Sequence, residues 1–211
     1  MTFHFITLFP EAVEPYLHSS ILGRAEEKKL IKFNFVNLRK FGEGKHQKVD
    51  DRAYGGGPGM VLQVEPISKA VRSIEARIKR SAKKKTRVIL FSTRGRIFDE
   101  KAAGRLRKYD HVVFICGRYE GVDERVAKYL ADEEISIGNF VLSGGELPAL
   151  IVTDAVSRLI PGVLGKTESL EDIKGSYPVY SKPEVFEGRK VPHVLLSGDH
   201  KKIEEWRRGG K

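Results

Sequence analysis

At 211 residues the chain has room for one full domain and a small second one, and 40% hydrophobic with 31% charged residues describes a globular protein. The formal net charge of +10 implies an acidic partner, nucleic acid being the simplest, although a solvated basic surface with no partner gives the same balance. The single cysteine, Cys116, excludes an internal disulfide and a thiolate zinc cluster; MTFHFITLFP lacks a signal-peptide pattern and no apolar run reaches membrane-spanning length, so a cytoplasmic location is expected.

Phe3 to Phe9 reads as a buried first strand closed by Pro10. Glu11 to Leu30 carries apolar residues at helical intervals, with Ser19 and Ser20 able to break it in two by capping the second half. Ile31, Phe33 and Phe35 alternate with Lys32 and Asn34, predicting a strand with one buried face. From Leu38 to Met60, LRKFGEGKHQKVDDRAYGGGPGM has no apolar period. Its Arg39, Lys40, Lys45, His46, Lys48 and Arg52 supply positive charge and Tyr54 a stacking face, which suits a loop closing on a nucleic-acid strand; an ordinary surface loop has the same composition. GGGPG is not a P-loop, because the Gly-Lys-Ser/Thr that would hold triphosphate is absent.

Pro66 opens a predicted helix with Ile67, Ala70, Val71, Ile74 and Ile78 on one face, followed by the charge run Lys79 to Arg87, which reads as a solvated turn. Val88 to Phe91 is a short buried strand, followed by STRG and a helix from Asp99 to Lys108. Val112 to Cys116 is another, ending in GRYEG from Gly117 to Gly121. A helix over Asp123 to Leu130 and a strand near Glu134 to Ile137 lead into ISIGNFVLSGGELPAL, Ile135 to Leu150. Its glycines let main-chain groups approach a flat ligand, or simply make a β-to-α turn. Leu150, Ile151, Ala155 and Leu159 then mark a helix over Leu147 to Leu159, with Glu146 and Pro148 suited to its first turn. The alternation predicts an α/β fold with a largely parallel sheet covered on both faces. STRG, GRYEG and SIGNFVLSGG each follow a strand and should crowd its carboxyl edge. After Pro161 and Gly162 periodicity is lost until Ser181, through the acidic ESLED. Lys182 to Lys211 holds one clear helix, His200 to Arg208, and too few anchors (Val185, Val194, Leu195, Trp206) for a core of its own, so it should dock on another surface.

LFPE at Leu8, VDDRAYGGGPGM at Val49, CGRYEGVDERV at Cys116, SIGNFVLSGGELPA at Ser136, VSRLIPGVLG at Val156 and VLLSGDH at Val194 occur in one order along nearly the whole chain, which resembles the bacterial tRNA (guanine-N1)-methyltransferases, the TrmD family of the SPOUT class. The resemblance implies a SPOUT-type parallel sheet with helices on both faces and a deep trefoil knot. It implies a cofactor-binding domain over 1–161, a linker over 162–180 and a short helical tRNA-binding segment over 181–211, expected to be incomplete. It further implies a homodimer with the active site at the subunit interface, S-adenosyl-L-methionine in the knot, and methylation of N1 of the guanine at tRNA position 37, just 3′ of the anticodon. Chain-topology rules alone would argue against a knot.

Carried over by motif, the cofactor is expected on Thr93, Gly95, Tyr119, Glu120, Gly121, Ile137, Gly138, Phe140, Leu142, Gly144, Gly145 and Pro148, with main-chain groups of Ile137, Gly138 and Leu142 reading adenine. Thr93 stands where the family often has proline, and Phe140 where it often has tyrosine. His46, Lys48, Asp50, Arg52, Tyr54 and Gly59 are the expected tRNA contacts. Guanine N1 is a poor nucleophile until its proton leaves; Asp172 in ESLED matches the family's base and Arg158 in VSRLIPG its cation, which would stabilise charge on O6. On local chemistry alone, Arg158 could instead pair with Asp154 and Asp172 could be a solvated linker acid. The segment after Asp172 is shorter than usual and lacks the family's Leu-Leu-Asp. The resemblance also suggests Mg²⁺, for which the sequence offers no ligand cluster. Competing readings are a non-catalytic tRNA-binding protein of the same fold, a SPOUT methyltransferase with another RNA target and, more remotely, a nucleotide hydrolase.

Overall fold

A computed structural model describes residues 1–79, 85–164 and 177–209. Most of the charge run, most of the expected linker and Asp172 lie outside the described residues. The chain divides into two units, Met1–Leu164 and Gly165–Lys211.

The first unit is built on strands β1 (Thr2–Thr7), β2 (Lys32–Asn37), β5 (Thr86–Ile97), β6 (His111–Ile115) and β7 (Glu133–Ser136). They form one sheet in the order β2-β1-β6-β5-β7, every neighbouring pair parallel, as the alternation of elements predicts. A two-stranded antiparallel ribbon, β3 (Asp50–Asp51) with β4 (Val61–Leu62), frames the glycine-rich segment between them. Period-two alternation sends the side chains to two cores. Phe3, Phe5, Phe33, Ile89, Val112, Phe114 and Ile135 fill one face. Ile6, Val36, Val88, Leu90, Val113 and Ile115 fill the other.

The first face is covered by α1 (Glu14–Leu17), α2 (Ser20–Glu27), α4 (Glu100–Leu106) and α6 (Glu146–Arg158), which contribute Leu17, Leu22, Leu106 and Val152 to its core. On the second lie α3 (Val64–Lys79), with Ile67, Ala70, Val71, Ile74 and Ile78, and α5 (Glu124–Tyr129), with Val126. Two aspartates sharpen helix starts: Asp99 accepts a hydrogen bond from the Ala102 amide and Asp123 from that of Arg125, so each is a cap just outside its helix. Ser19 does not cap in this way. It precedes α2, but its hydroxyl donates to the Tyr16 carbonyl, and Ser20 takes φ 49°.

STRG is not a simple loop after a short strand. β5 continues through it to Ile97 by a bulge, and both Phe91 and Arg96 lie opposite Ile135 of β7. Gly95 sits in that bulge, where a Cβ would come within 2.6 Å of the Ile135 main-chain nitrogen and carbon. Among the described residues no helix is long and apolar enough to cross a membrane.

In the second unit, Val185–Phe186 pairs antiparallel with Arg189–Lys190, followed by helices His193–Leu196 and His200–Gly209. Tyr180 and Trp206 lie 6.2 Å apart, and the Arg207 guanidinium 4.8 Å above the Tyr177 ring. None of its described residues is buried, in keeping with the few apolar anchors in its sequence.

Candidate functional site

The segments following Phe91, Cys116 and Ser136 converge beyond the carboxyl edge of the sheet and enclose a cleft of about 470 Å³, within the range of about 300–1,000 Å³ usual for small-molecule sites. Thr93 and Arg94 stand on one wall, Gly117 to Val122 on the second and Ile137 to Gly145 on the third, with Pro148 of α6 closing the base. Sheet order explains the placement: β6 runs back beside β1 while β7 continues outward beyond β5, and the crevice opens where the direction reverses.

The third wall carries three glycines, Gly138, Gly144 and Gly145. Gly138 has φ 152°, and a Cβ there would strike the Phe140 ring. Among the described residues no main-chain hydrogen bond engages Phe140, Val141 or Leu142, so their amides and carbonyls are left for water or a ligand. The second wall is held tightly. The Gly145 amide donates to the Gly117 carbonyl at 3.0 Å, and a Cβ on Gly145 would lie 2.7 Å from Cys116 Cα. Tyr119, beside it, occupies a left-handed conformation at φ 62°, a strained backbone, and is a half-exposed residue of the cleft lining.

Charge within the cleft is mixed. Arg94 donates to Glu124 at 2.8 Å and lies 3.6 Å from Glu134 Oε2, an oxygen that is buried without a hydrogen-bond partner. Cys116, fully enclosed, has its thiol pushed well above its ordinary range by burial and, secondarily, by the Glu146 carboxylate, which makes it an inert packing residue.

Of the cofactor residues expected from sequence, Thr93, Tyr119, Glu120, Gly121, Ile137, Gly138, Phe140, Leu142, Gly144, Gly145 and Pro148 all line this cleft. Gly95 does not; it packs on Ile135 instead. The expected tRNA residues are dispersed on the neighbouring ribbon. His46, Lys48, Arg52 and Tyr54 are exposed, Lys48 pairs with Asp51 at 2.9 Å, and Asp50 lies opposite Leu62. Gly59 reaches the cleft wall, with φ 75° and no room for a Cβ beside Glu120. The Glu120 amide donates to the Met60 carbonyl and the Leu62 amide to the Gly121 carbonyl, which joins the ribbon to the GRYEG turn.

Arg158, in the last turn of α6, is exposed, outside the cleft lining, and forms no ion pair among the described residues. Asp154 does not pair with it; its Oδ2 accepts a hydrogen bond from the Tyr16 hydroxyl at 2.8 Å. Sequence reasoning missed Arg94, Glu124 and Glu134, which no local pattern marks, and the pairing of Arg118 with Glu146. For the latter a signal existed: an acid one residue after two glycines at a helix start.

Fold and cleft together define a class, an α/β protein with a ligand site beyond the carboxyl edge of a parallel sheet. A family model described as tRNA (Guanine-1)-methyltransferase TrmD matches residues 1–211. A tRNA (guanine-N(1)-)-methyltransferase of Bacillus pumilus is 50% identical over 213 aligned residues, covering 99% of this chain and 86% of its own. Proteins of the same name from Mycoplasmopsis synoviae and Bacillus subtilis are each 49% identical, covering 98% of this chain and 90% and 86% of theirs. The chain belongs to the TrmD family of tRNA (guanine-1)-methyltransferases.

Proposed function

We propose that the protein transfers a methyl group from S-adenosyl-L-methionine to N1 of the guanine at position 37 of tRNA, just 3′ of the anticodon. The observation that carries this reading is the convergence of three loops, two of them glycine-rich, on one cleft. The cleft fits a nucleoside-bearing cofactor: Phe140 to Leu142 offer unengaged amides and carbonyls, and Gly138, packed against the Phe140 ring, keeps the main chain close to the opening. Ile137, Gly138 and Leu142 would read adenine, with Tyr119, Glu120, Gly121, Gly144, Gly145 and Pro148 completing the enclosure. When bound, the cofactor supplies a methyl group on a sulfonium, already electrophilic without further activation.

The protein's task is then to make N1 nucleophilic. Asp172 is assigned as the general base: its carboxylate would take the N1 proton, leaving an electron pair on N1 that accepts the methyl as the carbon–sulfur bond breaks and sulfur leaves as the neutral thioether. Arg158 is assigned to the negative charge that moves onto O6. Its availability supports the assignment, since Tyr16 occupies the only acid one helical turn behind it. The exposed cations and the aromatic ring of Lys45 to Tyr54 would hold the anticodon strand, with Gly59 close to the target base.

Arg158 stands outside the cleft of its own chain, and the α6 residues that share its side of the helix, Leu147 and Ile151, are 57% and 47% exposed. Both features support a homodimer in which each active site lies at the subunit interface and takes groups from two chains. A deep trefoil knot formed by the segment from β7 into α6, and a cytoplasmic setting where tRNA is available, belong to the same reading. Among the described residues no group of three or more His, Cys, Asp or Glu could hold a metal ion.

The test is transfer of labelled methyl from S-adenosylmethionine to unmodified tRNA with guanosine 3′ of the anticodon, followed by nucleoside analysis. 1-Methylguanosine is expected. Label in another nucleoside would redirect the substrate assignment, and bound cofactor without transfer would favour a non-catalytic RNA-binding role.

A further inference from the structure

The Glu146 carboxylate begins α6 and is only 3% exposed, yet it touches no part of the proposed chemistry. Its two oxygens are taken up separately. Oε1 accepts from the Thr7 hydroxyl at 2.6 Å, and Oε2 accepts from Arg118 Nε at 2.9 Å. Thr7 is held in turn by the Phe9 amide, which donates to its hydroxyl at 2.9 Å, and the Arg118 guanidinium lies 4.7 Å over the Phe9 ring. Arg118 Nη1 donates to the Ser143 carbonyl at 3.4 Å, and Arg118 forms an antiparallel bridge with Gly144. A Cβ on Gly144 would collide with Arg118 and lie 2.6 Å from Glu146 Oε2. One buried carboxylate thus joins the end of β1, the turn after β6, the loop after β7 and the start of α6.

We infer that the Thr7–Glu146–Arg118 network is the positioning device of the cofactor site: it sets the distance between the Tyr119 wall and the Leu142 wall by holding Arg118 against the Ser143 carbonyl. Thr7 and Glu146 stand outside the cleft lining and act through these loops, and Arg118, on the second wall, carries their hold to the Ser143 carbonyl. The inference rests on the cofactor reading above and adds to it the residues that pre-organise the cleft. A carboxylate is needed because it answers a hydroxyl and a guanidinium at once while neutralising a cation whose side chain is only 24% exposed. Lysine in place of Arg118 would keep the charge but lose the fork that spans Glu146 and Ser143.

The experiment measures S-adenosylhomocysteine affinity by calorimetry, melting temperature, tRNA affinity and cofactor KM against kcat, for wild type, Arg118→Lys, Thr7→Val and the double variant. Arg118→Lys should weaken S-adenosylhomocysteine at least tenfold and raise cofactor KM by more than it lowers kcat, with tRNA affinity within twofold. Thr7→Val, nearly isosteric, should weaken it severalfold, and the double variant should lose less than the product of the two, as members of one network do. Variants that bind S-adenosylhomocysteine as wild type does overturn the inference alone. Parallel losses of melting temperature, cofactor and tRNA affinity also overturn it, by reducing the network to a structural role. Wild type that binds no S-adenosylhomocysteine overturns the cofactor reading itself.

Discussion

His4 is the residue whose protonation most clearly couples to folding. It lies 7% exposed on β1, with the Asn34 amide nitrogen donating to its Nδ1 at 2.9 Å. That fixes the neutral proton on Nε2, which points to His111 Nδ1 at 3.0 Å. Burial first, then the nearby charges of His111, Arg77 and Lys32, pull its pKa from 6.5 to about 3. The unfolded chain therefore takes up a proton at this position below about pH 6.5 that the native state does not accept until about pH 3. Its contribution is complete above 6.5 and is lost as pH falls, at up to roughly 1.4 kcal/mol per pH unit. Melting temperature should drop between pH 6.5 and 4.5, and His4→Gln, which keeps a donor and an acceptor without the titration, should flatten that slope. An unchanged slope would place the acid sensitivity elsewhere. At the same scale, Asp172→Ala should retain cofactor affinity while turnover falls about 10²–10⁴-fold, the usual range for a lost general base. Equal loss of both would give Asp172 a structural role.

Among the elements, β5 carries the sharpest difference between sequence and structure. Val88 to Phe91 is legible as a strand because its residues are uniformly apolar; Ser92 to Gly95 reads as a loop, since nothing local shows that pairing resumes at Arg96. The reason for Gly95 lies on another strand, at the Ile135 main chain. Gly95→Ala should force β5 and β7 apart at a cost of about 1–3 kcal/mol, as overpacking does. Urea unfolding would read it, and a midpoint equal to wild type would show that the bulge relaxes freely. The same limit hid the Thr7–Glu146 hydrogen bond, whose partners are 139 residues apart. By contrast, the alternating phenylalanines of β1, the apolar stripe of α3 and the crowding of three loops at one edge follow from periodicity and strand direction, and all were readable. Ser19 shows the remaining kind of error: the residue type suits a cap, but its hydroxyl found the Tyr16 carbonyl first.

For the whole molecule the unresolved balance is on the outside of α6, where Leu147 and Ile151 stay exposed on a helix that otherwise buries Leu150, Val152 and Val156. Ile151→Lys should convert a dimer to a monomer in sedimentation equilibrium and abolish methyl transfer, without lowering the melting temperature of the isolated chain. A wild-type protein that sediments as a monomer would reject the two-subunit site.

The position of β6 between β1 and β5 has a consequence for how the chain is born. Emerging from the ribosome, β1 can pair with β2 almost at once, but its other edge waits for His111–Ile115. At about 5–20 residues per second that edge stays open for roughly 6–20 s. Phe3 and Phe5 meanwhile lack the Phe114 ring that later packs against them, so an unpaired strand edge and two uncovered aromatic rings coincide during synthesis. The walls of the cleft are completed later still, so a ligand can stabilise only a chain whose synthesis has passed Pro148.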